Sequence, residues 1–349
     1  MSQYINSRSK LLRHIDRIAA LKAGMKPPPV NVEIDLSNRC SLGCEWCHFA
    51  HTHTRGPLSG KRTVDAGDLM NTQLAFTIIY DLEHYGVRSV VWSGGGEPTL
   101  HPEFNRIIST CRLPQGLYTN GGHIDDKRAA ILKSRMSWVY VSLDAASGDE
   151  YAKVKGVTPA HFDRAVAGIT ALVEAGGEAT VGVGFLLNEY NWHAAPRMAA
   201  LGVSLGADYV QFRPTILYDT DHPASRVRNV SWVSKAARIL EGLSTRHTVE
   251  IDISRFKMLQ HWREHGYSTC WWSGMQTVIT PNGKVWACLN KRGMDGAELG
   301  DLNTEFFEDV WQRAPIQAVN EQCRVMCRGH IPNLELSAIM EDRLHGEFI

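Results

Sequence analysis

The chain has 349 residues, 44% of them hydrophobic and 21% charged, which is enough apolar material for a large core and excludes a disordered chain. Lys plus Arg and Asp plus Glu each total 37, so no net field draws the protein to nucleic acid or to an anionic membrane. The first residues hold basic side chains throughout and no run of about 18 apolar residues occurs anywhere, which excludes a signal peptide and a membrane-spanning helix and points to the cytoplasm.

Residues 8 to 23 set Leu11, Leu12, Ile15, Ile18 and Leu21 at helical spacing, predicting an amphipathic helix packed on the main domain. The prolines of MKPPP at 25 to 29 end it. From residue 31 strands and helices alternate. VEIDL is a strand, and TQLAFTIIYDLEHYG is a helix that stops at Gly86. SVVWS, GLYTN (116–120), WVYVSLD (138–144), ATVGVGFLL (179–187) and DYVQFRP (208–214) follow as strands, with helices between them. Six strands alternating with helices predict an α/β fold with a parallel sheet, closed or partly closed, and a site at the strand C-terminal ends.

After Pro214 the pattern changes. A helix near Ser234 to Leu243 leads to QTVITPNGKVWACLN, in which two β-rich runs flank Pro281-Asn282-Gly283 and read as a hairpin. The expected segmentation is a helix and linker over 1–30, a core over 31–220, a connecting helical segment over 221–265, and a small domain with the C-terminal tail over 266–349.

Eight cysteines in a reducing compartment read as metal ligands rather than as a disulfide framework. Cys40, Cys44 and Cys47 lie in CSLGCEWC, just after the first strand. Zinc there would need a fourth ligand from His48, His51 or His53, whereas three thiolates also suit a 4Fe-4S cluster with one iron open to an outside ligand. Cys270, Cys288, Cys323 and Cys327 surround the hairpin, and on spacing alone they suit a tetrahedral zinc site and a fully ligated cluster about equally.

An ordered set of motifs over residues 31 to 214 resembles the radical S-adenosylmethionine (SAM) enzymes. CSLGCEWC matches their CxxxCxΦC, with Trp46 in the aromatic position that packs near adenine. GGGEP at 94 to 98 matches the GGE element that binds the methionyl amino group, implicating Gly95, Gly96 and Glu97. TNG (119–121) closes the third strand, and VSLDA (141–145) implicates Ser142 and Asp144 near the ribose or methionine moiety. Residues 270 to 327 resemble the shortened SPASM, or twitch, domain: four cysteines around a hairpin, then LGDL and a helix with Trp311. The resemblance implies a partial (β/α)6 radical SAM barrel with a small C-terminal β-hairpin and loop domain. It also implies a SAM-binding 4Fe-4S cluster on Cys40, Cys44 and Cys47, and one auxiliary 4Fe-4S cluster on Cys270, Cys288, Cys323 and Cys327. Electrons would come from a donor such as flavodoxin or ferredoxin.

Further candidates follow from position. His51, His53 and Arg55, past the first cluster, make a cationic loop for substrate or phosphate recognition, or a solvated surface loop. Gln211 and Arg213 end the sixth strand, from which barrel enzymes reach substrate, and Tyr118, Asn120 and Asn188 end others. Trp271 and Trp272 are expected to shield the auxiliary cluster. Cys111, between strands two and three, reads as a buried structural thiol, which leaves no free cysteine to return hydrogen to a substrate radical.

The resemblance therefore predicts reductive cleavage of SAM to a 5′-deoxyadenosyl radical and hydrogen abstraction from a small polar substrate: a sugar, cyclitol, nucleoside or peptide. The product electron would pass to the auxiliary cluster, for a net two-electron oxidation. Competing readings are a radical isomerase of a modified nucleoside or amino acid, a peptide-modifying maturase, and a non-catalytic zinc or iron-sulfur protein. Only 39 residues precede Cys40, so a peptide substrate is expected to need a separate carrier, or none.

Overall fold

The computed structural model describes residues 9–44, 46–47, 68–215, 231–244, 256, 265–320, 323 and 327–341. The stripe at the N-terminus forms two helices, α1 (Ser9–Leu12) and α2 (Ile15–Lys22), with a turn between them. The turn rotates the stripe. Ile18 and Leu21 are buried against Met275 and Leu336, while Leu12 and Ile15 are both exposed.

Strands β1 (Asn31–Asp35), β2 (Ser89–Ser93), β3 (Gln115–Thr119), β4 (Trp138–Ser142), β5 (Thr180–Leu187) and β6 (Tyr209–Pro214) pair in chain order, each parallel to the last. Between them run α3 (Thr72–Tyr85), α4 (Phe104–Thr110), α5 (Asp126–Arg135), α6 (Gly148–Lys155), α7 (Ala160–Glu174) and α8 (Ala195–Ser204), and α9 (Ser231–Ser244) follows β6. The ends of α3 are written locally. Asn71 accepts hydrogen bonds from Gln73 N–H (2.9 Å) and Leu74 N–H (3.1 Å), and Gly86 closes the helix at φ 89°.

Successive strand residues point to opposite faces. Val32, Ile34, Trp92, Val139, Val141, Val183 and Phe212 join the helices in one core. The opposite, inward face carries a separate aromatic cluster of Tyr118, Trp138, Tyr140 and Tyr209. Glycines make room for it. A Cβ on Gly182 would lie 2.1 Å from the Tyr209 ring, and one on Gly184 would lie 1.7 Å from the Tyr140 hydroxyl. The result is a partial (β/α)6 barrel with an aromatic plug on its inner face.

The hairpin of the C-terminal segment is not a separate layer. Strand β7 (Thr269–Cys270) pairs with β11 (Gln317–Ala318), but β8 (Gln276–Ile279) runs parallel to β1, and β9 (Lys284–Trp286) and β10 (Glu298–Asp301) continue antiparallel beyond it. One nine-stranded sheet, β10-β9-β8-β1-β2-β3-β4-β5-β6, thus runs across the boundary expected between core and small domain. Helix Phe307–Arg313 packs on α3, and helix His330–Met340 packs on the turn Trp271–Gly274. Among the described residues no helix is long and apolar enough to cross a membrane.

Candidate active site and cluster-binding centres

The loop carrying Cys40, Cys44 and Cys47 leaves the C-terminal end of β1 and is tied to its neighbours through backbone. Gly96 N–H donates to Ser37 O (3.0 Å), Glu97 N–H to Arg39 O (2.7 Å) and Gly43 N–H to Lys155 O (2.7 Å). Gly96 is required by close approach: a Cβ there would meet the Arg39 carbonyl oxygen at 2.2 Å. Burial pushes the Cys40 thiol up to about 12, with Glu97 and the other two cysteines adding to it. Burial likewise pushes Cys44 up to about 11, against the pull of the Lys155 ammonium. Three thiols that share one loop and repel as anions need a cationic centre to ionise together, and its binding would release their protons. Among the described residues no three His, Cys, Asp or Glu side chains gather closely enough to hold a single metal ion. Three soft thiolates on one loop suit an iron-sulfur cluster with one iron left to an outside ligand.

Glu97 and Asp144, read from sequence as SAM contacts, are both held by the chain itself. The Glu97 carboxylate is 3% exposed and accepts from Thr99 Oγ1 (2.6 Å), Thr99 N–H (3.2 Å), Thr119 Oγ1 (2.7 Å) and Asn120 N–H (2.7 Å). It therefore clamps the ends of β2 and β3 together, with Gly95 buried beside it. Asp144 adopts φ 61°, a left-handed conformation uncommon for a residue with a side chain, immediately past β4. Its Oδ1 accepts from Leu186 N–H (2.7 Å) and its Oδ2 from Lys155 Nζ. Burial opposes the Lys155 charge, but Asp144 and then the Cys44 sulfur outweigh it and raise its pKa. Trp46 is buried, with Lys155 Nζ 5.9 Å from its ring. Ser142, Gly184 and Gln211 stand in one cross-strand row on the inner face.

The second cysteine set is assembled from three separate segments, Cys323 and Cys327 sharing the last. Cys270 ends β7, Cys288 follows β9, and Cys327 lies just before helix His330–Met340. Burial pushes Cys270 up to about 12, and the charges of Cys288, Cys327 and Cys323 raise it further, so all four sulfurs lie within electrostatic reach. Backbone donors already point at the sulfurs: Asn290 N–H to Cys288 Sγ (3.4 Å), Gly329 N–H to Cys327 Sγ (3.3 Å) and Asn320 N–H to Cys323 Sγ (3.4 Å). Such donors stabilise thiolate charge and tune cluster potentials. The indole N–H groups of Trp271 and Trp272 are buried beside Cys270 without an acceptor, as a site for an added anionic group would leave them. Cys111 is buried at the end of α4, where Gln115 Nε2 donates to its carbonyl oxygen, on the N-terminal side of the strands and away from the site.

A cavity of about 290 Å³ adjoins the second set, walled by Cys270, Cys288 and Cys327 and reached by Ser93, Tyr118 and Arg213 from the strand ends. Apart from Arg213, its charged lining escaped the sequence reading. Glu33 and Asp35, buried on the inner face of β1, meet Arg292 and Arg328: Arg292 Nη1 donates to Asp35, its Nη2 stands 3.9 Å from Glu33, and Arg328 Nη2 donates to Glu33. Two carboxylates alternating in VEIDL, a strand flanked by strands, were the available signal. The Asn120 side chain accepts from Gly122 N–H (2.9 Å) and donates to Ser41 Oγ (3.4 Å), while Asn188 Oδ1 accepts from Tyr190 and Asn191 N–H. His51, His53 and Arg55 lie outside the described residues.

With this geometry in place, the chain matches the Radical SAM superfamily over residues 34–201 and SPASM, an iron-sulfur cluster-binding domain, over 270–330. It is 33% identical to a probable GTP 3′,8-cyclase of Methanosarcina mazei over 42% of this chain and 42% of that one, so this match spans less than half of either. It is 25% identical to a PqqA peptide cyclase of Methylorubrum populi over 86% of this chain and 78% of the relative. Its fold resembles that of Streptococcus suis SuiB bound to S-adenosylmethionine, at TM-score 0.65 and 15% identity, covering 90% of this chain and 73% of that one. The two matched domains imply one SAM-binding 4Fe-4S cluster with SAM and one auxiliary 4Fe-4S cluster. From motif order, sheet topology and both domains together, the chain belongs to the radical SAM superfamily and carries a C-terminal SPASM-type iron-sulfur domain.

Proposed function

We propose that the protein catalyses a SAM-dependent two-electron oxidation of a substrate seated between its two cluster sites. In this reading Cys40, Cys44 and Cys47 hold the SAM-binding cluster, and Cys270, Cys288, Cys323 and Cys327 hold the auxiliary one. Reductive SAM cleavage supplies the group that abstracts the substrate hydrogen. The chain's own contribution is positioning. Trp46, Gly95, Gly96 and Ser142 line the SAM side, while Glu97 and Asp144 fix the loops that present them. Gln211 and Arg213 face the substrate from β6.

The observation that carries the reading is the composition of the cavity wall. Three cysteines of the auxiliary set line it, and the one cysteine outside both sets, Cys111, is buried beyond the opposite strand ends. A substrate radical formed there has an electron acceptor beside it and no thiol to return hydrogen. The test is anaerobic turnover with a flavodoxin-type or ferredoxin-type donor and mass spectrometry of the product. Stoichiometric SAM consumption with a product two mass units lighter supports oxidation, and an unchanged product mass refutes it in favour of the isomerase.

The substrate class divides into two readings. The polar small molecule suits the cavity's modest volume of about 290 Å³, while similarity to a peptide cyclase along most of the chain favours a peptide. Joining two C–H carbons also removes two hydrogens, so peptide crosslinking is the same net oxidation. Recovering the lighter product as a peptide, from reactions offered both kinds of substrate, decides for the second.

A further inference from the structure

The cavity's charges do not balance. Glu33 and Asp35 are buried and each is matched by a guanidinium, from Arg328 and Arg292. Arg213, a third guanidinium in the same lining, has no carboxylate: among the described residues it forms no ion pair. Its guanidinium lies over the Tyr140 ring, 4.6 Å from the centroid, and over the Tyr118 ring at 5.7 Å, and its Nε is buried without an acceptor. Arg213 is also close enough to Arg328 for the two charges to disfavour each other. A half-buried cation with no carboxylate, set near a second cation, is unfavourable unless an anion completes it.

We propose that Arg213 is a clasp for an oxyanion of the substrate, a carboxylate or a phosphate. The proposal rests on the oxidation reading for where the substrate sits. The aromatic plug supplies the rigidity such a clasp needs. Tyr140 is fixed in the space left by Gly184, and Arg213 stacks on it, so the planar fork is oriented before an anion arrives. Arg213 pairs in register with Leu186, one step beyond the Ser142–Gly184–Gln211 row, at the rim from which the bound group faces the cavity. The auxiliary cluster, anionic on four thiolates, is the competing counter-charge. It claims Arg328, which follows Cys327 and favours its thiolate. Around Arg213 stand instead the neutral rings of Tyr140 and Tyr118.

The test titrates reconstituted holoenzyme, with SAM bound and without turnover, with inorganic phosphate and separately with glutarate by anaerobic calorimetry. Saturable binding of one anion, weakened at least tenfold in Arg213→Gln and partly restored in Arg213→Lys, is the expected result. The anion that saturates tells a phosphate-bearing from a carboxylate-bearing substrate. Iron content and circular dichroism report whether each variant has folded. Absence of saturable binding of either anion to the wild-type enzyme overturns the clasp, as does equal binding in Arg213→Gln. A shifted auxiliary-cluster potential in Arg213→Gln with anion binding intact overturns it too, and reassigns Arg213 to the cluster. Because binding is read without turnover, an unchanged product mass defeats the oxidation reading and leaves this result separate.

Discussion

Replacing Lys155 by Met tests how the first cysteine loop is supported. The Lys155 and Asp144 side chains are 3% and 1% exposed and form a buried ion pair. Removing the ammonium leaves a carboxylate out of water with only Leu186 N–H (2.7 Å) still donating to it. Breaking one side of a buried pair typically costs about 3–5 kcal/mol. Met refills most of the lysine stem and one hydrogen bond survives, so the lower end, about 3 kcal/mol, is expected for Lys155→Met. Asp144→Asn in the same chain removes the stranded charge and should recover about half or more of the loss, a coupling within the ~0.5–3 kcal/mol range of contacting residues. Urea unfolding followed by circular dichroism gives both values. The sign of the pH dependence is fixed by the raised Lys155 pKa. Its contribution is complete below the unfolded lysine value, about 10.4, and fades only as pH rises past it toward the folded value. Lys155 in the wild type therefore contributes equally at pH 6 and pH 9, and any fall in the penalty toward pH 6 reports protonation of the stranded Asp144. A Lys155→Met cost under about 1 kcal/mol, or a double variant no better than the single one, refutes the reasoning.

Three other outcomes are expected. Gly96→Ala drives a Cβ into the Arg39 carbonyl at 2.2 Å, a backbone obstacle, so SAM affinity measured by equilibrium dialysis should fall at least tenfold while iron content holds. Cys323→Ser should lower reconstituted iron from roughly eight to about four per chain, with SAM cleavage persisting and product formation lost; undiminished iron removes Cys323 from the ligand set. Gly184→Ala sets a methyl 1.7 Å from the Tyr140 hydroxyl, which should cost about 1–3 kcal/mol in thermal unfolding and weaken substrate binding through the displaced ring under Arg213.

What could be read from the sequence was local, and what could not was paired across the chain. The cysteine spacings, GGGEP and the six strands depend on neighbouring residues, and Gly86 ends α3 because only its own φ is at issue. The cavity's ion pairs join residues 257 and 295 positions apart, so Arg292 and Arg328 carry no local sign of their partners. Lys155 was hidden differently. A lysine in the last turn of a helix before Gly156 ordinarily points to solvent and complements the helix dipole. Here Gly43 N–H bonds the Lys155 carbonyl, the cysteine loop covers the helix end, and the side chain is enclosed with Asp144. The helix over 8–23 was likewise legible as a helix, but its break into α1 and α2 turned half the apolar stripe outward.

The pairing of β8 with β1 bears on how the two cluster sites work together. Their register, Asn31 with Gln276 through Ile34 with Ile279, places the auxiliary hairpin one strand from the strand that launches the Cys40–Cys47 loop. Adjacent strands stand about 4.8 Å apart, and a hydrogen-bonded ladder resists sliding because a one-residue slip would turn the buried inner face outward. Glu33 and Asp35 strengthen the same seam from within, since Arg292 and Arg328 both belong to the auxiliary segment. The distance between the cysteine sets is therefore fixed by sheet geometry and buried charge pairs, and a linker has little influence on it. That fixed spacing is what a substrate radical needs if its electron is to leave in one consistent direction.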